Sequence, residues 1–302
     1  MKDIVYIENS YNVSVREFGF RFYNFIEKKE LFFTFDDVET FIFDNQKCYL
    51  STSFINACID RNINIIVNDV KHNPVVEFVS LKLHRNRLSR LQSQIMLSQK
   101  SKNRIWKKII VAKIRNQARC LEYCTQNKDD GEFLMDLARN VNDADKENRE
   151  AVAARFYFPS MFGKGFVRGR YSDPVNAGLN YGYAILRSNL KRELTVHGFE
   201  MSLGIHHRSS ENPYNLADDL IEVFRPFVDM FVYEYIYKQG SSELTVLHKK
   251  QLIEVLMEKC VIDDKVCSVS DSMMILVQSL IGCLEKNSAG LLMLPSMQEA
   301  GR

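Results

Sequence analysis

The chain has 302 residues, 46% hydrophobic, 11% aromatic and 26% charged, with a net charge of +2. This is long enough for two domains with proper cores and excludes a disordered chain; only the stretch after Pro295 reads as a tail. Apolar runs fall short of the ~18 residues a membrane helix needs, and MKDIVYIENSYNVSV has no uninterrupted apolar h-region, so a cytoplasmic protein without signal peptide or membrane attachment is expected. The seven cysteines, odd in number and without a CxxC pair, read as reduced thiols.

Residues 1 to about 78 read as β-rich. Ile4–Ile7, Asn12–Val15, Phe18–Phe25, Leu31–Phe33, Thr40–Phe43 and Ile63–Val67 are short runs of β-branched and aromatic residues partly alternating with polar ones. Thr52–Asp60 reads as a short helix with Phe54, Ala57 and Cys58 on one side, and Val75–Phe78 as a linking strand. Scaffold or dimer contact is the expected role of this region. After Pro74 the period changes to that of helices. Leu81–Ser98 and Arg104–Thr125 read as two long helices joined by the basic SQKSKNR, with Trp106, Ile109, Ile110 and Ile114 facing a core and Lys107, Lys108, Lys113 and Arg115 solvated. Shorter helices follow at Glu132–Asn140 and from Asn148, with Glu150 near the start of the latter. Phe162–Arg170 is a basic glycine-rich loop without the GxxxxGK[ST] pattern of nucleotide sites. Asp173 caps a helix over Ala177–Glu193, and a helix from Asn215 to Tyr237 is expected to kink at Pro226. Glu243–Leu294 reads as smaller helices interrupted at Asp263-Asp264-Lys265. The expected fold is α+β, a small β-sandwich domain over residues 1–78 followed by a larger all-helical domain over 79–302.

The near-neutral total conceals two opposed segments. Between Phe78 and Leu121 stand twelve Lys or Arg residues and no acid, whereas acids dominate Asp129–Glu150 and Glu211–Glu222. A protein that holds both a polyanion and metal ions has this pattern. The densest chemistry lies in GIHHRSSENPYNLADDLIEVFRPFVD, residues 204–229. It sets His206 and His207 in a polar loop before Asp218, Asp219 and Glu222, spaced so that one helical face presents Glu222 with either Asp. Such a set can hold Mn²⁺ or Mg²⁺ through mixed N/O ligands. The same acids can equally complement the helix dipole while the histidines bond backbone. These residues alone fit both readings.

Glu150 followed by AVAARFYF, then DPVNAGLNYGYAIL (173–186), GIHH and DDLIEVFRPFVD, in that order, resembles the family of CRISPR-associated protein one, most closely the type II systems. The resemblance implies a metal-dependent DNA endonuclease and integrase of spacer acquisition, in which a 3′-hydroxyl of a short duplex, the prespacer, attacks a phosphodiester of the CRISPR array. It places the metal-binding catalytic residues on Glu150, His207 (in preference to His206) and Glu222, with Asp219 in support and Mg²⁺ or Mn²⁺ as the ion. Val223 departs from the proline common after the second acid. Arg85, Arg87, Arg104, Lys107, Lys108, Arg115, Lys164, Arg168 and Arg170 become candidates for holding the double-stranded DNA backbone. Implied partners are a second copy of the chain, a small ferredoxin-like subunit completing a heterohexamer, the type II effector nuclease and an accessory ring protein. The competing functions are a non-enzymatic DNA-binding scaffold with a degenerate acidic cluster and a metal hydrolase of small phosphoesters.

Overall fold

The structure, a computed structural model, describes residues 3–70, 72, 74–78, 86–169 and 173–298. The chain forms two compact units, Met1–Leu83 and His84–Arg302. In the first, β1 (Asp3–Ile7), β2 (Asn12–Arg16), β3 (Gly19–Asn24), β4 (Lys29–Thr34), β5 (Val38–Phe43) and β6 (Tyr49–Leu50) precede helix α1 (Thr52–Asp60), β7 (Asn64–Asn68) and β8 (Pro74–Glu77). They make two four-stranded sheets, in the orders β1-β5-β7-β8 and β4-β3-β2-β6. Local alternation gives the strands but not their partners: β1, β5 and β7 run parallel, with α1 in the connection that such pairing requires. The expected linking strand is the edge strand β8, antiparallel to β7, with Pro74 at its first position. Both sheets and α1 bury one aromatic cluster. Phe20 of β3 meets Phe41 of β5 at 5.2 Å and 89° and Phe54 of α1 at 5.1 Å and 74°, the edge-to-face geometry that aligns ring edge with ring face.

The second unit is predominantly helical. It comprises α2 (Arg87–Met96), α3 (Gln99–Thr125), α4 (Lys128–Arg139), α5 (Arg149–Phe162), α6 (Pro174–Val196), α7 (Asn215–Leu220), α8 (Arg225–Val232), α9 (Val246–Ile253) and α10 (Val269–Glu285). It is not all-helical. Strands β9 (Lys259–Ile262), β10 (Lys265–Ser268) and β11 (Ser296–Met297) form a small sheet in the order β10-β9-β11. Asp263 and Asp264, read as an interruption between helices, are the left-handed pair (φ 51° and 59°) that turns the β9–β10 hairpin. The basic SQKSKNR is no joint either. Ser98 accepts the Ser101 amide at 3.2 Å, and Gln99–Arg104, all tolerated by helices, form the first turns of α3. No helix among the described residues is long and apolar enough to cross a membrane, and all seven cysteines are free thiols.

The expected Asn215–Tyr237 helix is broken rather than kinked. α7 ends at Leu220, a 3₁₀ turn covers Ile221–Val223, and α8 begins at Arg225 with Pro226 in its first turn, where a missing N–H leaves no gap in the ladder. Gly182 lets α6 approach α8 closely, since a Cβ there would stand 2.4 Å from Val228 Cγ1. That approach brings Tyr183 against Asp229.

Candidate active site

Three elements of the second unit converge on a cleft of about 360 Å³. α3 contributes Lys113, the first turn of α5 contributes Glu150, and the 3₁₀ turn between α7 and α8 contributes Glu222. Asp145 fixes the start of α5 by accepting the Arg149 and Glu150 amides at 2.9 and 3.0 Å. Lys113 Nζ donates to Glu150 Oε1 and to Glu222 Oε2, each at 2.5 Å. The second Glu222 oxygen accepts Arg225 Nε at 2.9 Å. Burial alone would raise the Glu222 carboxyl, but the Lys113 ammonium and Arg225 guanidinium outweigh it and hold it down at about 2. Burial works against the Lys113 ammonium too, yet Glu222 and Glu150 keep its pKa raised. Lys113, expected in solvent, is thus a buried component of the site (7% exposed). Its spacing was the available signal: it falls three or four positions from Ile109, Ile110 and Gln117, on the face of α3 that is buried.

α7 gives way to a 3₁₀ turn between Asp219 and Glu222, and both aspartates are bonded to groups other than the Lys113 ammonium that Glu222 holds. Asp218 accepts Arg187 Nη2 at 2.8 Å. Asp219, fully buried, gathers the GIHH loop around itself. Its Oδ2 accepts the Ile205 and His206 amides at 2.5 and 3.0 Å, and its Oδ1 accepts the His207 amide at 3.0 Å and His207 Nδ1 at 2.7 Å. Gly204 is required there, since a Cβ would lie 2.3 Å from the His207 carbonyl oxygen. A carboxylate can only accept, so in the neutral ring the His207 proton lies on Nδ1 and Nε2 carries the lone pair. The hydrogen bond to Asp219 outweighs burial and raises the His207 pKa. His206 is engaged elsewhere: its ring stacks on Trp106 of α3 at 4.2 Å and 2°. Among the described residues no three His, Cys, Asp or Glu side chains stand ready around one cation. Glu150 and Glu222 are brought together; His207 does not line their cleft, although Glu222 is near enough to act on its charge.

The far end of the cleft holds an acid the sequence reading left unassigned. Asp229 accepts Tyr183 Oη at 2.5 Å and Tyr157 Oη at 3.0 Å, and burial pushes its pKa up to about 6, against the pull of the two hydroxyls, Arg168 and Arg225. Arg168 lines this end, its guanidinium donating to Asn176 Oδ1 at 3.0 Å and Asn180 Oδ1 at 2.8 Å. The other basic candidates are dispersed. Lys107, Lys108 and Arg115 line a separate groove of about 540 Å³ along α3, where Lys108 Nζ is taken up by the Ala289 and Leu292 carbonyls at 3.1 and 2.7 Å. Lys108 is thus not a solvated cation. Arg104 and Lys107 lie 3.7 and 3.9 Å from Asp143, Arg87 lies 3.7 Å from Glu200, and Lys164 is exposed. Arg85 and Arg170 lie outside the described residues.

Known proteins share both sequence and fold with this chain. CRISPR-associated endonuclease Cas1 of Neisseria meningitidis serogroup C is 35% identical over 223 residues, 73% of this chain and 72% of that protein. A Pyrobaculum aerophilum protein, CRISPR-associated endonuclease Cas1 1, is 29% identical over 230 residues, 70% and 74% of the two chains. Among solved structures, a casposase bound to integration product superposes with a TM-score of 0.75 at 18% identity, over 95% of this chain and 92% of that one. A chain of a Cas6-RT-Cas1–Cas2 complex gives 0.70 at 16% identity, over all of this chain and 36% of that one. The family model for CRISPR associated protein Cas1 matches residues 5–260, a span that takes in Lys113, Glu150, His207 and Glu222, and the chain belongs to that family.

Proposed function

We propose that this protein is a divalent-cation-dependent DNA endonuclease and integrase of CRISPR adaptation, inserting short duplex DNA into the repeat array. The observation that carries the reading is the meeting of Glu150 and Glu222 on one buried cationic group. Two carboxylates gathered about a positive charge, with no cysteine lining the cleft, suit Mg²⁺ or Mn²⁺, and His207, whose charge Glu222 influences, would supply the nitrogen ligand. When bound, such an ion activates a hydroxyl and neutralises the charge that develops on the phosphate. Asp219 keeps the His207 ring oriented, and Arg225 keeps Glu222 ionised and in place.

In the reaction, the incoming strand's 3′-oxygen forms a bond to phosphorus while the bond from phosphorus to the array's 3′-oxygen breaks, that oxygen leaving with a proton. Water in place of the attacking hydroxyl gives the endonuclease reaction named in the relatives. The exposed cations Arg104, Arg115 and Lys164 would hold phosphate backbone without reading sequence. The N-terminal unit, taken as a small β-sandwich, would serve the homodimer, and the Cas1–Cas2 assembly of a structural neighbour supports a small ferredoxin-like partner here.

The test is strand transfer of a labelled short duplex into a supercoiled array plasmid with Mn²⁺. Glu222→Ala is expected to abolish transfer while duplex binding persists. His207→Ala is expected to do the same and His206→Ala to keep most of the activity. Turnover of a small phosphoester alone, with no strand transfer, would overturn the reading.

A further inference from the structure

Resting on that reading of the site, we propose that Lys113 is a resident stand-in for the divalent cation, which moves to Gln117 when the ion enters. Its Nζ lies 2.5 Å from both Glu150 Oε1 and Glu222 Oε2, so the space between the two oxygens is taken. Mg²⁺ and Mn²⁺ hold carboxylate oxygens at about 2.1 Å. An ammonium nitrogen and such an ion cannot share that position, and one of them has to leave.

Charge and shape single out Lys113 as the group that leaves. Glu150 and Glu222 are balanced by Lys113 and Arg225. A divalent ion added to this balance brings two positive charges into a buried site, and withdrawing one side-chain cation relieves the repulsion. Arg225 is held twice, by Glu222 at 2.9 Å and by the Tyr183 ring at 4.5 Å. Among the described residues the Lys113 ammonium bonds only the carboxylates the ion would claim, on a flexible unbranched stem.

A receiving acceptor stands one helical turn away. Gln117 lines the same cleft, is 2% exposed, and its buried Oε1 meets no hydrogen-bond donor among the described residues. An orphaned buried acceptor is rare enough to need a reason. Helical side chains lean toward the N-terminus, so Gln117 leans back over Lys113, four positions earlier. The displaced ammonium would satisfy that oxygen and remain in the cleft as a positive charge facing an incoming phosphodiester.

The experiment is Mn²⁺ titration of metal-free full-length protein without DNA, by calorimetry or electron paramagnetic resonance, with melting measured in parallel. Lys113→Met is expected to lower the metal-free melting temperature yet to bind Mn²⁺ about tenfold more tightly, because the competitor is gone. Gln117→Leu, which leaves the carboxylates untouched, is expected to melt normally and to bind Mn²⁺ several-fold more weakly. A lysine that only stabilises the fold would leave the affinity unchanged or reduce it when removed. Equal or weaker Mn²⁺ binding by folded Lys113→Met overturns the proposal, and if that variant does not fold, unchanged binding by Gln117→Leu does so. Glu222→Gln separates the two levels: if it binds Mn²⁺ as the unaltered protein does, the metal site itself is wrongly placed.

Discussion

Two buried carboxylates line one cleft and behave oppositely. Glu222 faces Lys113 and Arg225, and burial is overcome, so it stays ionised down to about pH 2. Asp229, at the other end, faces two tyrosine hydroxyls, and burial prevails, lifting its pKa to about 6. Hydroxyls supply dipoles where ammonium and guanidinium supply full charges, and only the latter offset the loss of water around a carboxylate. The cationic end is therefore suited to exchange one cation for another, and the tyrosine end to keep its proton until the pH nears 6.

The largest break in this comparison is Glu222→Gln. It leaves the buried Lys113 ammonium with one carboxylate and strips Arg225 of its anion. Removing one partner of a buried ion pair costs roughly 3 kcal/mol or more, to be read from urea unfolding at pH 7. A change within about 0.5 kcal/mol, the range of ordinary surface substitutions, would mean that solvent already screens the pair.

Next in size is the pH dependence. The folded pKa of Glu222 lies below its ordinary 4.5, so its contribution, on the order of 3 kcal/mol, is present above pH 4.5 and lost as pH falls toward 2. Asp229 runs the other way. Its folded pKa lies above its ordinary 3.8, so a contribution of similar size, on the order of 3 kcal/mol, is present below pH 3.8 and lost as pH rises through 6. Unfolding free energy measured across pH 2–8 should carry both slopes. Glu222→Gln should erase the acid one and Asp229→Asn the near-neutral one. If Asp229→Asn leaves the slope between pH 4 and 6 intact, the Asp229 carboxyl is not the group responsible.

What the sequence conveyed follows the same division between local and distant causes. Period-2 runs marked the strands of the first unit, and Thr52–Asp60 carried its own cap in Ser51. The parallel order β1-β5-β7 was not legible, because pairing is decided by burial around Phe20, Phe22 and Phe41, remote in the chain. The β9–β10 hairpin was missed because four-residue strands carry too little period, although two adjacent Asp residues between Val- and Cys-containing runs were its turn signal. At the site, Glu150 and Glu222 were singled out through motif order, and the structure sets both on the Lys113 ammonium. Lys113 was read as one more solvated member of a basic run, since a charge count takes no account of the helix face on which each charge falls.

The smallest effects sharpen the tyrosine end. Tyr183→Phe removes the 2.5 Å bond to Asp229 Oδ1, and Tyr157→Phe removes the 3.0 Å bond to Oδ2 together with a contact to Cys120 Sγ at 3.2 Å. Each hydroxyl favours the charged carboxylate, so its loss raises the Asp229 pKa further and moves the near-neutral slope to higher pH. The expected cost at pH 7 is about 1 to 2 kcal/mol for either variant. It should be larger for Tyr183→Phe and should shrink at pH 4, where Asp229 is protonated in both proteins. A cost that is the same at pH 4 and pH 7 would instead locate the effect in lost packing and leave the charge on Asp229 without a role in the difference.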